Sequence, residues 1–196
     1  VRTANECSPG DITAFLAANG PKRQFFPAFG QPDSTGYGLL RDIGTENLLV
    51  ALRQGEIVGT MWVWDQRGYK QHLVAGYSPV LRCLRPVANV ALRAAGFPVL
   101  PRRGEPLHQA CTALVCVQDD APAIGRALLA AAKRHATEAG LDVLLVGLHE
   151  RDPLRPVLKP HRPLVYRSRL YSVSWDGTDF LDSLDLRPPY LELGTL

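Results

Sequence analysis

The residues best suited to chemistry lie in and after the stretch 119–147, DDAPAIGRALLAAAKRHATEAGLDVLLVG. An apolar run, 113–117 (ALVCV), feeds a tight turn and a helical pattern, and a second apolar run follows. Strand, turn, helix and strand in that order set a helix N-terminus beside a strand end. Backbone N–H groups and the helix dipole can meet an anion there. Gly125 keeps one close backbone approach, and Ala123 adds only a methyl. Asp119 and Asp120 are the opposing feature, because two carboxylates stand where phosphates would sit. Unit charges a few ångströms apart repel by about 1 kcal/mol in water and by more in a drier cleft. Arg126, in the first turn, offsets part of this.

Beyond the second apolar run, His149, Glu150 and Asp152 come close together, and Tyr166 and Tyr171 follow. Imidazole, carboxylate and phenol side chains are the usual groups for general acid–base work. His149 and His161 have no third ligand at suitable spacing and read as a polar loop pair, so no metal is expected. A further polar cluster, Asp65, Gln66, Arg67, Tyr69, Lys70, Gln71 and His72, ends a buried strand pattern. The four cysteines, Cys7, Cys83, Cys111 and Cys116, form no CxxC pair. Cys111 and Cys116 lie five apart on one strand, so alternation turns them to opposite faces. Reduced, buried thiols and a cytoplasmic protein are expected.

The elements that position these groups follow from periodicity and punctuation. A short strand is expected over 1–4. A helix should follow from a Ser8/Asp11 capping-box start through Asn19, with Ile12, Phe15 and Leu16 on one face. Residues 23–29 (RQFFPAF) form an aromatic plug or one wall of a ligand groove. Residues 47–53 and 56–64 make a hairpin about Gln54-Gly55. A helical rhythm over 77–96 is limited by Pro86, which either starts or kinks the helix. Residues 107–117 make the next strand. Asp120 should cap the central helix, with Pro122 in its first turn and Ile124, Ala127, Leu128, Ala131 and Ala139 buried. Residues 142–148 read as an interior strand, and 164–175 (LVYRSRLYSVSW) as one long strand or a bulged pair. A helical turn is expected over 179–184, then a proline-marked tail.

Size and composition bound the rest. With 196 residues, 46% hydrophobic and 21% charged, the chain is one globular domain, compatible with being part of a longer protein. A net charge of +3 from scattered arginines argues against nucleic acid as a partner. No run is long enough to span a membrane, and Val1 opens no signal-peptide pattern.

In this order of elements, and at 120–129 (DAPAIGRALL), the chain resembles the GNAT N-acetyltransferase superfamily. There a strand enters an R/Q-x-x-G-x-G/A turn that opens a helix, and the next strand splays away to admit acetyl-coenzyme A. Asp120 falls at the Arg/Gln position, Ala123 at the first glycine and Gly125 at the second. The resemblance implies an α/β (α+β) fold with a mixed, mainly antiparallel central sheet and helices on both faces. It implies acetyl-CoA or another acyl-CoA as cofactor, with Leu114, Val115, Val117, Ala123, Gly125, Arg126 and Ala127 lining its site. Glu150 falls to the role of base and Tyr166 to that of acid. The acceptor would be a small-molecule or peptide amine, and a homodimer or tandem partner domain is compatible with the fold. Two alternatives stand beside this reading: a catalytically inactive ligand- or partner-binding domain, and an aminoacyl-tRNA-dependent transferase of the same fold.

Overall fold

The computed structural model describes residues 1–27, 44–171, 173, 175 and 184–195. The expected positions of Ala28 and Phe29, and nearly all of the turn expected over 179–184, lie outside them. The elements in order are β1 (Arg2–Thr3), α1 (Pro9–Asn19), β2 (Leu48–Arg53), β3 (Glu56–Trp64), α2 (Pro79–Ala94), β4 (Gln109–Val117), α3 (Pro122–Glu138), β5 (Val143–Leu145) and α4 (Arg155–Leu158), with short 3-10 turns between.

The strands form one sheet in sequence order, β1-β2-β3-β4-β5. The first three pairings are antiparallel and β4–β5 is parallel. Gln54 and Gly55 both take positive φ, as a tight two-residue hairpin turn requires. Alternating apolar residues cover both faces of the sheet. On one side α1 packs Ile12, Phe15 and Leu16 against Leu48, Val50, Trp62 and Trp64. On the other, α3 packs Ile124, Leu128 and Ala132 against Leu49, Met61, Val63 and Val117. The sheet is therefore mixed and mainly antiparallel, with helices on both faces.

Several local expectations change. Ser8 stands at the N-cap of α1 but makes no side-chain capping bond. The α2 helix runs unbroken through Pro86, starting instead at Pro79 with the Ser78 hydroxyl accepting from the Leu81 N–H. Pro79 fits the first turn, where its missing N–H would be unpaired anyway. On α3, Ala127 and Ala139 are exposed, while Gly125, Leu129 and Ala136 are buried. Contacts from both the sheet and α4 widen the buried stripe beyond one face. The strand after α3 is three half-buried residues at the sheet edge, not an interior strand. The described residues of 164–175 form no strand, and Leu164, Tyr166 and Trp175 are almost fully exposed. Alternation expresses a preference for a pleated surface and needs a facing partner to be realised.

Gly59 lets α3 settle on the sheet. A Cβ there would lie 2.9 Å from Ile124 Cγ2 and 3.0 Å from Leu128 Cδ1. Gly59→Val is therefore expected to overpack this contact and cost about 1–3 kcal/mol, read as a lower thermal midpoint. A midpoint equal to the parent's would show that α3 is not held that close.

Candidate active site in the opening between two strands

The β4 strand carries an irregularity at its centre. Thr60 pairs with Cys116 and Trp62 with Ala113, so β4 has one residue more than β3 across this step. The extra residue is a β-bulge, and Leu114 takes φ 48° within it. A bulky residue in the left-handed region is strained by about 1–3 kcal/mol and persists only where its surroundings impose it. Those surroundings are complete burial of Leu114 and a hydrogen bond from the Thr60 hydroxyl to its carbonyl at 3.1 Å.

The bulge also resets which side chains share a face. Ala113 and Cys116 lie in the α1-side core, whereas Ala110, Val115 and Val117 lie in the α3-side core. By that alternation Cys111 and Cys116 point to the same face, contrary to the sequence expectation, because the extra residue shifts the period by one. Both thiols are buried, and burial pushes Cys116 up to about 12 and Cys111 upward as well. They are inert core residues.

Parallel pairing of β4 with β5 covers only Gln109 to Cys111 against Val143 to Leu145. Beyond this point β4 continues for six residues to Val117 without β5 beside it. Residues 189–195 enter the opening. They are pinned at one end by Gln24, whose N–H donates to the Pro188 carbonyl (3.2 Å) and whose carbonyl accepts from the Tyr190 N–H (2.8 Å). Tyr190 packs on Phe26 with ring centroids 4.9 Å apart. Leu193 packs against Gly147, and Gly194 lies against the Trp64 ring, its carbonyl accepting from Gln66 Nε2 at 2.7 Å. Tyr190 belongs to the α3-side core and Trp64 to the α1-side core, so this segment threads the opening from face to face.

Inside, the bulge presents two backbone donors. The Leu114 N–H donates to Glu192 Oε2 at 2.9 Å, and the Val115 N–H donates to the Tyr190 hydroxyl at 3.1 Å. The Tyr190 hydroxyl in turn donates to the same Glu192 oxygen at 2.9 Å. Among the described residues no donor meets buried Glu192 Oε1 at full hydrogen-bonding geometry, although the Gly194 N–H is near enough to lower the carboxyl's pKa. Burial pushes the Glu192 carboxyl above the usual carboxylate range, against the pull of the Leu114 N–H and the Tyr190 hydroxyl. Burial and the adjacent Glu192 hold the Tyr190 phenol well above its ordinary value. The cluster thus combines a pair of successive N–H donors, a buried carboxyl whose Oε1 is poorly satisfied among the described residues, and a phenol that keeps its proton.

The turn before α3 departs from expectation in a way that removes an obstacle. Asp120 does not cap the helix: Ala121 holds the N-cap position, with no side-chain acceptor. Asp119 and Asp120 both take positive φ, near 53° and 52°, which short polar side chains tolerate best. This turns Asp120 toward Arg23, whose guanidinium grips it through two bonds of 2.6 and 3.1 Å. The same Nη2 lies 3.5 Å from the buried Asp152, whose Oδ1 also accepts from the Leu154 N–H at 2.8 Å. Burial works to lower the Arg23 pKa, but its bond to Asp120 and the two carboxylate charges outweigh that and raise it. Lys22 lies 3.5 Å from Asp119. The negative charge expected to repel phosphates is therefore met by cations from the segment after α1.

The residues proposed from sequence are distributed as follows. Leu114 and Val115 supply the bulge donors, and Val117 is buried opposite Gly59. Ala123, Arg126 and Ala127 are exposed at the start of α3. Gly125 is buried, and a Cβ there would meet Leu154 Cδ2 at 3.3 Å and Val157 Cγ2 at 3.4 Å, so its close approach is to the α4 region. Glu150 is exposed, and its carbonyl accepts from Arg155 at 2.7 Å. Tyr166 is 91% exposed. The polar cluster after β3 forms an Asp65–Arg67 ion pair of 2.7 Å, whose hydrogen bonds lower the Asp65 pKa. Trp64, Gln66, His72 and Cys111 line a cavity beside it of about 10 Å³, room for about one water. Sequence reasoning placed Arg23 and Gln24 only within the 23–29 plug or groove wall, without their roles, and missed Tyr190 and Glu192. The only local signal was the tail PPYLELG, where an acid sits between two leucines.

No protein-family model matches this sequence, and a search of curated proteins found no match. Among solved structures, the chain is similar to "Putative acetyltransferase from Agrobacterium tumefaciens str. C58", at 13% identity and a TM-score of 0.42, over 86% of this chain and 96% of that one.

Two measurements test the site as built. Arg23→Met leaves Asp120 and the buried Asp152 without their cation, which is expected to cost about 3 kcal/mol and lower the thermal midpoint by roughly 6–12 °C. A change within 1 °C would show that the network contributes nothing net. For Glu192, the folded state holds a proton that the unfolded state releases near 4.5, so its stability contribution is present below that pH. It is lost as pH rises toward the elevated folded value. Glu192→Gln is therefore expected to melt above the parent at pH 7–8, with the gap closing below pH 4.5; a gap that does not vary with pH would refute the buried-carboxyl assignment.

Proposed function

We propose that this chain is an N-acyltransferase resembling the GNAT enzymes, which takes acetyl-CoA or another acyl-CoA into the opening between β4 and β5 and passes the acyl group to an amine. The observation that carries the reading is the bulge: two successive backbone N–H groups leave the ladder and donate to a linked pair of oxygens, Leu114 to Glu192 Oε2 at 2.9 Å and Val115 to the Tyr190 hydroxyl at 3.1 Å. Donors at about 2.7–3.1 Å from a developing oxyanion are what acyl transfer requires, and here a carboxylate oxygen already stands at one of them. The residues fit the cofactor in a second respect, since the start of α3 has no side-chain cap and Arg126, just past its first turn, is exposed.

Bound acyl-CoA would supply an activated carbonyl. The chain's own groups have separable roles around it. Leu114 and Val115 N–H hold negative charge on oxygen. Glu192, displaced from Leu114 by the incoming carbonyl, takes the proton of the attacking amine. Its raised pKa suits that role, because a base works best with a pKa near the operating pH. Tyr190 orients Glu192 and retains a proton that it can return to the departing thiolate. This assignment is preferred to Glu150 and Tyr166, both of which face solvent. The acceptor is an amine of a small molecule or peptide.

A second reading has its own support. Residues 189–195 fill the opening and satisfy both bulge donors, as would suit a non-catalytic domain of the same fold. Calorimetric titration with acetyl-CoA and CoA separates the two. Binding is expected, with Glu192→Gln binding as well as or better than the parent while losing roughly 10²–10⁴-fold in acyl transfer, measured by thiol release over a panel of amines. No heat at millimolar ligand sinks the enzyme reading and leaves the filled, non-catalytic one.

A further inference from the structure

Between β3 and β4 the chain makes a 44-residue excursion, 65–108, although the two strands are direct antiparallel neighbours. A narrow ribbon carries it outward: Val74 N–H donates to the Glu105 carbonyl (3.1 Å), Gly104 N–H to the Val74 carbonyl (2.9 Å), and Leu107 N–H to the His72 carbonyl (2.8 Å). At its end lies α2, folded back on the loop after it. That packing uses the polar side of the helix. Asn89 exchanges two hydrogen bonds with the Leu100 backbone, at 2.8 and 3.1 Å, and Arg85 donates to the same carbonyl at 3.1 Å.

The apolar side therefore points away from the protein. Val80, Leu84, Val87 and Ala91 recur at i, i+4, i+7 and i+11, a single helical stripe. Val80, Leu84, Val87 and the neighbouring Val90 are 54–70% exposed, and no residue of the 16-residue helix is buried. Charge is just as polarised. The 65–108 excursion holds seven of the 22 Lys and Arg and two of the 19 Asp and Glu, which leaves 15 cations against 17 acids in the rest of the chain; its two acids pair with Arg67 and Arg102, and α2 itself has three arginines and no acid. Arg82 and Arg93 project from the side opposite the stripe.

We propose that the α2 arm docks on an anionic lipid bilayer, lying in its interface with the Val80–Leu84–Val87 stripe among the acyl chains and the arginines at headgroup level. Strong amphipathicity, arginines on the polar face and no acid describe an interfacial helix. No helix among the described residues is long and apolar enough to cross a membrane, so this is docking and not insertion across it. A second copy packed stripe to stripe would leave the arginines, on the opposite side, without a counter-charge, and nucleic acid would leave the apolar stripe in water. An anionic bilayer meets both the charge and the stripe.

The test is flotation of the full chain with vesicles of phosphatidylcholine alone, or with 30 mol% phosphatidylserine, at rising salt. Binding is expected only to the anionic vesicles and should weaken as salt rises. Val87→Asp should abolish it without changing the thermal midpoint, since Val87 is exposed. Replacing Arg82 and Arg93 together with Gln should weaken partition about thirtyfold, the equivalent of about 1 kcal/mol per arginine. Cys83 is exposed at the stripe's edge, so a polarity-sensitive fluorophore there, with Cys7→Ser, should shift to the blue on vesicle addition. No partition into the anionic vesicles overturns the proposal, as does partition that Val87→Asp leaves intact. A dimer by sedimentation that Val87→Asp dissociates, without vesicle binding, assigns the face to a second copy; capture of an acidic amphipathic peptide alone assigns it to a protein groove. Either outcome also overturns the proposal. None of these readouts depends on acyl transfer.

Discussion

The structure turns on the bulge at Leu114. One extra residue in a central strand forces a buried leucine into left-handed backbone and frees two N–H groups from the ladder. A buried backbone donor without a partner is costly, so something polar must come to them. Glu192 and Tyr190 do so, and their arrival fixes the path of the last described segment through the opening beside β4. Gln24, Phe26, Gln66 and Gly147 all make contacts that hold this segment. Strain, donors and buried carboxyl are one arrangement, and none of its parts is explicable without the others.

A second constraint organises the approach to that opening. Arg23, Asp120 and Asp152 come from the segment after α1, the turn before α3 and the loop before α4. Their ionic contact gathers three segments at the helix start and leaves the helix without a side-chain cap. A cation and two carboxylates in a half-buried position contribute through geometry more than through net energy, because desolvation consumes much of the Coulomb gain. What they secure is the position of the α3 N-terminus relative to β4.

Charge is divided on a larger scale between this body and the α2 arm. The α2 helix carries arginines and no acid and turns its apolar stripe outward, and the chain outside 65–108 is net acidic. The mild overall charge conceals that division, since a sum over the chain cancels what segregation in space creates.

The sequence determined the frame. Alternation in 47–53, 56–64 and 107–117, the Gln54-Gly55 turn, the apolar face of α1 and the glycine stop at Gly140 placed the sheet and the helices on both its faces, because these are local preferences of three to eighteen residues. Leu114 and Val115 were named for the site by resemblance alone; the bulge that makes them donors was not legible. What only the tertiary structure decided are the long-range matters. Asp120 was a helix cap by local rule and became the partner of Arg23, 97 positions away. The faces of Cys111 and Cys116 were reversed by a bulge that no periodicity announces. Residues 164–175 carry the alternation, and those described form no strand, because alternation alone does not bring a partner strand alongside. Tyr190 and Glu192 read as a tail because their meaning lies in two N–H groups 75 and 78 residues earlier. Local sequence fixes conformational preference; which polar groups meet in a dry interior depends on where separate segments are brought together.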